Sequence, residues 1–524
     1  MKRPTDCIVI GSGPDGLVAA IALARRGRKV TVLEAAESLG GEIRSIEFAP
    51  GFRAAPLAAD LGWIGPDVAR LAGMEGIAMI SSDPTIVASG EDGTWLHLSR
   101  RPDVTAAALR RHSSRDADRW PAFTERISRL SGFLQLLYSA PPAAIDAHRV
   151  PDLASMLRLS LKLRGLGKTE MIELLRTVPM SVADLLDEWF EHDGLKGVLA
   201  ARAVTDLCQG PMSGGTAFTL LHRQVGCDVG VFGPRSMPAT GADAVIRALA
   251  SRARAAGVEL RAGAPVRSIT IREDRAAGVV LTNGEEIASR VVISTADPYR
   301  TLLELLDPVH LDPELILAVQ NIRFRGAVAK VLVGLDGLPA GSLPSGGEAP
   351  RATVSIAPSI RYVERAYDAT KYGQISEHPF VEAWVPSLIE PGLAPEGRHV
   401  AVLHVQFTPY LLRESSWDRE RELLGDLAVR LVDEQLPGFA ERVVHRRVFA
   451  PPDLEREFQL REGAAAQGEL MLDQILFMRP VAGWARYATP MPGLFLAGPG
   501  THPGPGIFGG SGLLAAVAVL RMLR

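Results

Sequence analysis

Gly11-Ser12-Gly13-Pro14-Asp15-Gly16 places three glycines at the spacing G-x-G-x-x-G, and Glu34 follows 18 residues after the last of them. The chemistry this spacing can do is recognition of a dinucleotide. The first glycine permits a tight turn, the second lets the backbone approach a pyrophosphate, and the third lets a helix pack closely on a strand. Phosphates then sit at the helix N-terminus, where free N–H groups and the dipole favour anions. A carboxylate at Glu34, at the end of the next strand, can accept both ribose hydroxyls of an adenosine. It disfavours a 2′-phosphate, and hence NADP. The motif alone is weak, so its context matters. Asp6 to Ile10 reads as a short buried strand, Gly16 to Arg26 as an Ala- and Leu-rich helix, and Lys29 to Leu33 as a second strand.

A second group of candidate residues continues from Glu34 through Ala35 to Gly40, Gly41, Arg44 and Ser45, in the pattern E-x5-G-G-x-x-R-S. This pattern resembles the signature after the second strand in the glutathione-reductase-like FAD superfamily, which includes amine oxidases and carotenoid desaturases. The resemblance implies FAD, with the paired glycines and the arginine along its pyrophosphate. Only one βαβ unit with the dinucleotide fingerprint is read, so a separate NAD(P)H domain and disulfide-reductase chemistry are not expected.

The third group is the loop from Gly498 to Gly510, with six glycines and three prolines. Such a backbone carries little side-chain bulk and can lie flat against a planar ring. The expectation is that His502 and residues 504–509, including Gly506, Ile507, Phe508 and Gly509, lie against the flavin ring. The helix that follows would aim its N-terminus at the ring and stabilise negative charge there. His502 is the candidate catalytic residue, able to take or relay a proton. The other reading is a His-Pro that only shapes the loop. Trp484 and Tyr487 are candidates for the pocket wall or for plain core packing. His399 and His404 lie on opposite faces of an apparent strand, so no metal site is expected.

The elements that must position these groups come from separated segments. Residues 241–257 read as an amphipathic helix, 258–260 and 266–271 as strands, and 278–287 as a hairpin turning at Asn283-Gly284. Val291 to Ser294 and Leu494 to Ala497 read as buried strands, and a helix follows from about Gly510. Residues 100–225 look mostly helical, whereas 322–410 alternate in period two. The fold class expected is α/β: a glutathione-reductase-like, Rossmann-type FAD-binding domain (1–75, 230–300 and 480–524) interleaved with a mixed-sheet substrate domain carrying a helical cap (76–229 and 301–479). With 524 residues, the chain is too long for one core.

Over nearly its whole length the chain resembles the phytoene-desaturase-like flavoproteins, and within them the branch named for pyridine nucleotide-disulphide oxidoreductase domain-containing protein 2. The resemblance rests on GSGPDGLVAA at 11–20, LEAAESLGGEIRS at 33–45, EFAPGF at 47–52, SVADLLDEWFEHDGLKGVLA at 181–200, VVISTADP at 291–298 and RPVAGWARYATPMPGLFLAGPGTHPGPG at 479–506. It implies non-covalent FAD, a substrate domain over the flavin, and a backbone contact from Val266 to the adenine. It also implies an apolar, isoprenoid- or lipid-like small molecule as substrate. The sequence departs from the family at Pro14-Asp15, at Gly498-Pro499 where relatives carry Gly-Asp, and at 235–241, where a glycine-rich turn is altered.

The function expected is FAD-dependent dehydrogenation of such a substrate by hydride transfer to flavin, with oxygen or a quinone as electron acceptor. The alternatives are a redox-neutral flavin-dependent isomerase, an amine or C–N oxidase, and a non-catalytic lipid-binding protein on the same fold. A net charge of -3 argues against nucleic acid as a partner. Cys7, Cys208 and Cys227 form no C-x-x-C pair and fit a reducing compartment. No apolar run reaches the ~18 residues of a spanning helix, so the location expected is cytoplasmic. The basic, leucine-rich segment 156–168 is a candidate for peripheral membrane contact.

Overall fold

In the computed structural model the residues described are 5–90, 94–142, 157, 160, 161, 163–165, 167–234, 237–339 and 351–523. Met156, Arg158, Leu159, Lys162 and Leu166 of the basic segment lie outside them, as do Arg235 and Ser236 of the altered turn. Among the described residues no helix is long and apolar enough to cross a membrane.

The N-terminal unit is β1 (Thr5–Ile10), α1 (Pro14–Ala24) and β2 (Val30–Leu33). The helix begins two residues earlier than the Ala/Leu run suggests, because Pro14 occupies a first-turn position where its missing N–H costs nothing. β1 pairs in parallel with β2 on one side and with the long strand Glu286–Ser294 on the other. Glu259–Arg261 extends the sheet beyond β2, and Leu494–Leu496 joins the end of Glu286–Ser294 in parallel. The first half of that long strand turns back as an antiparallel ribbon with Arg275–Leu281 and Val266–Arg272. Helices cover the parallel part on one face and a second apolar cluster covers the other, so its strands are apolar on both sides. The C-terminal ends of β1 and its neighbours open onto one crevice, the usual place for a ligand in such a sheet.

A second sheet has the order Val443–Phe449, Val328–Leu335, His399–Gln406, Val381–Trp384, Thr353–Ile356, Ile86–Ser89, Trp95–Leu98. It is mixed: Thr353–Ile356 runs parallel to Ile86–Ser89 and the other pairs are antiparallel. The alternation over 322–410 is present, but both faces are covered. Ala329, Val331, Val333 and Leu335 pack in a cluster with helix Trp417–Gln435. The even-numbered Leu332 faces Phe52 and Phe449 in another cluster. The helix Ile360–Lys371 interrupts the strands, started by Ser359, whose hydroxyl accepts from the Tyr362 N–H. Four helices of the expected helical stretch, Ser114–Tyr138, Val182–Trp189, Asp193–Val204 and Thr216–Arg223, contribute to one cluster around Trp120, Phe123, Phe190 and Phe232.

Candidate functional site

The three glycines of the first motif divide the labour as their spacing predicts. A Cβ on Gly11, whose φ is +96°, would meet Thr295 Oγ1 at 2.1 Å, and a Cβ on Gly16 would meet the Gly11 carbonyl oxygen at 2.1 Å. Those two glycines are needed for packing. A Cβ on Gly13 would meet nothing within 4 Å, so its face is open. It looks into a cavity lined by Gly11, Ser12, Gly13, Pro14, Asp15, Gly16, Glu34, Ala35, Gly41, Val266 and Gly498, among others.

Glu34 is held before any ligand arrives. One carboxylate oxygen accepts from the Ser12 N–H at 2.9 Å and the Ser12 hydroxyl at 2.6 Å, and the other accepts from the Ala36 N–H at 3.0 Å. The Ser12 hydroxyl in turn accepts from the Gly40 N–H. The strand end, the glycine turn and the Gly40-Gly41 turn are thus joined through two side chains.

Gly40, Arg44 and Ser45 do not line this cavity. The Arg44 guanidinium donates to the Glu457 carbonyl at 2.6 Å and lies over the Phe458 ring, and the Ser45 N–H donates to Asp243. Arg44 therefore supports the segment Phe458-Gln459-Leu460, which does form cavity wall. Glu42 and Asp15 do line this cavity. Burial pushes the Glu42 carboxyl up to about 7, helped by the charge of Asp15, and pushes Asp15 up to about 6. A proton held on Glu42 removes a negative charge from the cavity wall.

Pro14, Asp15, Glu42 and Pro499 also line a second cavity, so the two spaces adjoin. Gly504, Pro505, Gly506, Ile507, Phe508 and Gly509 form part of its wall. These glycines repeat the G-x-G-x-x-G spacing without a strand directly before them. A Cβ on Gly506, whose φ is +71°, would also meet nothing within 4 Å, so this face is open too. The loop is fixed from three sides. Trp63 N–H donates to the Gly506 carbonyl at 2.8 Å, and Phe508 N–H donates to the Trp63 carbonyl at 2.9 Å. His222, through Nε2, bonds the Pro505 carbonyl at 2.8 Å while its Nδ1 meets the Tyr138 hydroxyl at 2.7 Å. The buried Arg479 donates to the Pro499, Gln474, Ala466 and Gly468 carbonyls. Trp63, His222 and Tyr138 belong to none of the motifs read from the sequence, whereas Arg479 opens the 479–506 stretch.

Two expectations for this loop change. His502 lines neither cavity: it is 1% exposed, its Nε2 bonds the Ala140 carbonyl at 3.1 Å, and burial pulls it down to about 4. Its ring packs edge-on to Tyr138, behind the loop rather than on its open face. The N-terminus of the C-terminal helix Gly510–Met522 is not free to face a ring, because the Asp15 carboxylate caps it through the Gly512 N–H. Tyr487 is buried with its hydroxyl donating to the His502 carbonyl, and Trp484 is exposed; neither lines these two cavities.

The second cavity also contains side chains that sequence spacing did not connect. Its wall includes Ile43, Leu61, Trp384 and Leu470, but also Lys330, Glu382 and His404. The last three are direct cross-strand neighbours in the second sheet. Among the described residues no group of three or more His, Cys, Asp or Glu is arranged to hold a metal.

This geometry fits FAD. The first cavity offers a fixed carboxylate and a helix N-terminus to an adenosine diphosphate, and the second offers an open glycine floor to a ring. Comparison with known proteins agrees. Residues 9–64 match the family described as NAD(P)-binding Rossmann-like domain, and residues 195–520 match the family described as flavin containing amine oxidoreductase. The chain is 32% identical to pyridine nucleotide-disulfide oxidoreductase domain-containing protein 2 of Mus musculus, over 100% of this chain and 94% of that protein. It is 24% identical to a phytoene desaturase (neurosporene-forming) of Cereibacter sphaeroides, over 98% of this chain and 94% of that one. An oxidoreductase structure from Methanosarcina mazei shares the fold, with a TM-score of 0.61 at 17% identity, covering 98% of this chain and 100% of that one. Matched by the family over more than half its length and by the Mus musculus relative over all of it, the chain belongs to the flavin containing amine oxidoreductase family and is an FAD-dependent oxidoreductase.

Proposed function

We propose that this enzyme dehydrogenates a C–C or C–N bond of a small molecule with an apolar body, and passes the electrons on to oxygen or a quinone. The observation that carries the reading is the junction of the two cavities at Pro14, Asp15, Glu42 and Pro499. It lets one extended cofactor reach from Glu34 to the Gly504–Gly509 floor, with room left beside the floor for a substrate. Bound FAD supplies two-electron oxidation chemistry, and the protein supplies position and a dry pocket.

In this reading residues 1–75, 230–300 and 480–524 hold the cofactor, and 76–229 and 301–479 form the substrate side. Glu34 receives the ribose hydroxyls, and the backbone around Gly13 at the start of α1 receives the phosphates. Val266 flanks the adenine. Gly506 through Gly509 bear on the ring, with Ile507, Phe508, Leu61 and Leu470 excluding water from it. Ile43, Leu57, Leu207 and Trp384 supply the apolar surface for the body of the substrate. The relatives' names support the substrate side of the proposal: the Cereibacter sphaeroides protein is a desaturase of phytoene, and the family name speaks of amines.

The test is anaerobic mixing of the FAD-loaded protein with a panel of apolar alkenes, alcohols and amines. Bleaching of the ~450 nm band typical of oxidised flavin cofactors by at least one class, and its recovery on admitting oxygen or a soluble quinone, is the expected result. A protein that takes up no FAD overturns the reading.

A further inference from the structure

The negative charge that a flavin gains on reduction needs a partner, and two nearby sources are already engaged. The N-terminus of the C-terminal helix is capped by the Asp15 carboxylate. The side chains lining the second cavity carry no positive excess. Asp15, Glu42, Asp60, Asp206 and Glu382 stand there against three Lys or Arg side chains, so four carboxylates remain even with a proton on Glu42.

An uncompensated cation lies behind the floor instead. Arg479 is 2% exposed, and its guanidinium donates to the Pro499, Gln474, Ala466 and Gly468 carbonyls. Carbonyl dipoles satisfy its N–H groups but bring no countercharge, and among the described residues no carboxylate pairs with it. Two titratable groups beside it, Tyr138 and His502, are neutral near pH 7, because burial pushes the phenol up and pulls the imidazole down to about 4. His222, whose ring nitrogens meet the Tyr138 hydroxyl and the Pro505 carbonyl, is the next titratable group along this floor. Burial lowers Arg479 itself to about 10, which leaves it charged at pH 7. A buried charge without a counterion is costly, and this one is placed where it can act on the cavity. Pro499, whose carbonyl receives Nε at 2.8 Å, lines both cavities. A Cβ on Gly504, in the wall of the second, would lie 3.7 Å from the same Nε. One layer of backbone therefore separates the guanidinium from the cavity, and a charge acts strongly across such a dry wall.

We infer that Arg479 is the countercharge of the reduced ring, holding the reduced flavin as an anion and making its reduction by substrate more favourable. One hydride, two electrons with one proton, passes from substrate to a ring that was neutral and leaves one negative charge there; the substrate's second hydrogen departs to solvent as a proton. The inference rests on the proposed function, because it takes the Gly504–Gly509 floor to be where the ring lies. It goes further by giving the electrostatic role to a residue that lines neither cavity.

The experiment is a spectroelectrochemical titration of the FAD-loaded parent, Arg479→Gln and Arg479→Lys, with free FAD titrated alongside. Glutamine keeps N–H donors for the carbonyls and loses the charge, whereas lysine keeps the charge. Arg479→Gln is expected to make two-electron reduction roughly tenfold or more less favourable, a midpoint potential lower by about 30 mV or more. Arg479→Lys should stay nearer the parent than Arg479→Gln does. In the parent, the pH below which reduction takes up a second proton should lie about one unit or more under that of free FAD. A purely structural Arg479 would lower the melting temperature of both variants and leave the midpoint where it was. An unchanged midpoint in Arg479→Gln, a midpoint in Arg479→Lys as low as that of Arg479→Gln, or a second-proton break at or above that of free FAD would each overturn the inference. If neither variant folds, the break in the parent decides. A protein that takes up no FAD overturns the proposed function and this inference together, whereas a yellow protein whose midpoint ignores Arg479→Gln overturns the inference alone.

Discussion

The Asp15 carboxylate accepts a 2.8 Å hydrogen bond from the backbone N–H of Gly512, tying the first turn of α1 to the first turn of the C-terminal helix. The Ser511 N–H adds a second favourable contact. A Cβ on Gly512 would come within 1.9 Å of the Asp15 carbonyl oxygen, so the two helices touch backbone to backbone at this point. Asp15 therefore does for the C-terminal helix what an N-cap side chain does, from a distant place in the sequence.

That contact sets a pH dependence. Burial raises the Asp15 pKa from 3.8 to about 6, the two backbone N–H groups opposing it. Between those values the folded chain holds a proton that the unfolded chain has released. The unfolded state then binds fewer protons, so stability falls as pH rises through the window from about 4 to 6. Asp15→Asn keeps an acceptor for Gly512 and abolishes the titration. The melting temperature of the apoprotein variant, relative to the parent, is expected to be more favourable at pH 7.5 than at pH 4. An offset that stays constant between the two pH values would count against this assignment.

Glu34→Ala is expected to weaken FAD binding by about 1.5–3 kcal/mol, the range for hydrogen bonds to a charged group. The loss includes the anchoring of Ser12 and Ala36, so Glu34→Gln is the informative partner: it keeps an acceptor for one of those N–H groups and should lose less. Quenching of free flavin fluorescence on titration with apoprotein gives both affinities. Equal affinities in all three proteins would show that this carboxylate does not hold the ribose.

At the loop, Gly506→Val and His502→Ala should separate. Valine at 506 would project into the second cavity and strain a φ of +71°, so flavin occupancy should drop. His502 lies behind the loop, so its alanine variant should keep most turnover once saturated with FAD. A fall of roughly 10²-fold, with loss of one limb of the pH profile, would instead mark His502 as handling a proton.

NADH and NADPH are expected to reduce the flavin poorly, because the single βαβ fingerprint is the one assigned to FAD. Stoichiometric bleaching by either nucleotide under nitrogen, on the time scale of turnover, would contradict this.

What could be read in the sequence follows from range. The turn from Gly11 to Gly16 and the carboxylate at Glu34 belong to one local unit, in which spacing alone fixes geometry, and the structure brings them to one cavity. Arg44 misled because the motif places it next to the glycines but cannot tell which way a long side chain swings; here the Glu457 carbonyl and Phe458 ring capture it. The row Lys330, His404 and Glu382 was invisible for another reason. Period-two alternation tells which face of a strand a residue takes, but not the register that sets it opposite a residue 74 positions away. The Asp15 cap is likewise long-range, its partners lying 497 residues apart, so no window of sequence contains both.

The clasp between Trp63 and the Gly506–Phe508 loop has a temporal meaning. Its two halves are roughly 440 residues apart, so on a ribosome the first must wait about 20–90 s for the second at typical elongation rates. The glycine turn and Glu34 are made first, and the floor on which a ring could rest exists only once residues 504–509 have followed. β1 waits as well, since one of its sheet neighbours, Glu286–Ser294, is made roughly 280 residues later. Until then the nascent chain carries an unfinished parallel sheet with an apolar edge. A ring can settle on the glycine floor only after both halves of the clasp have been made.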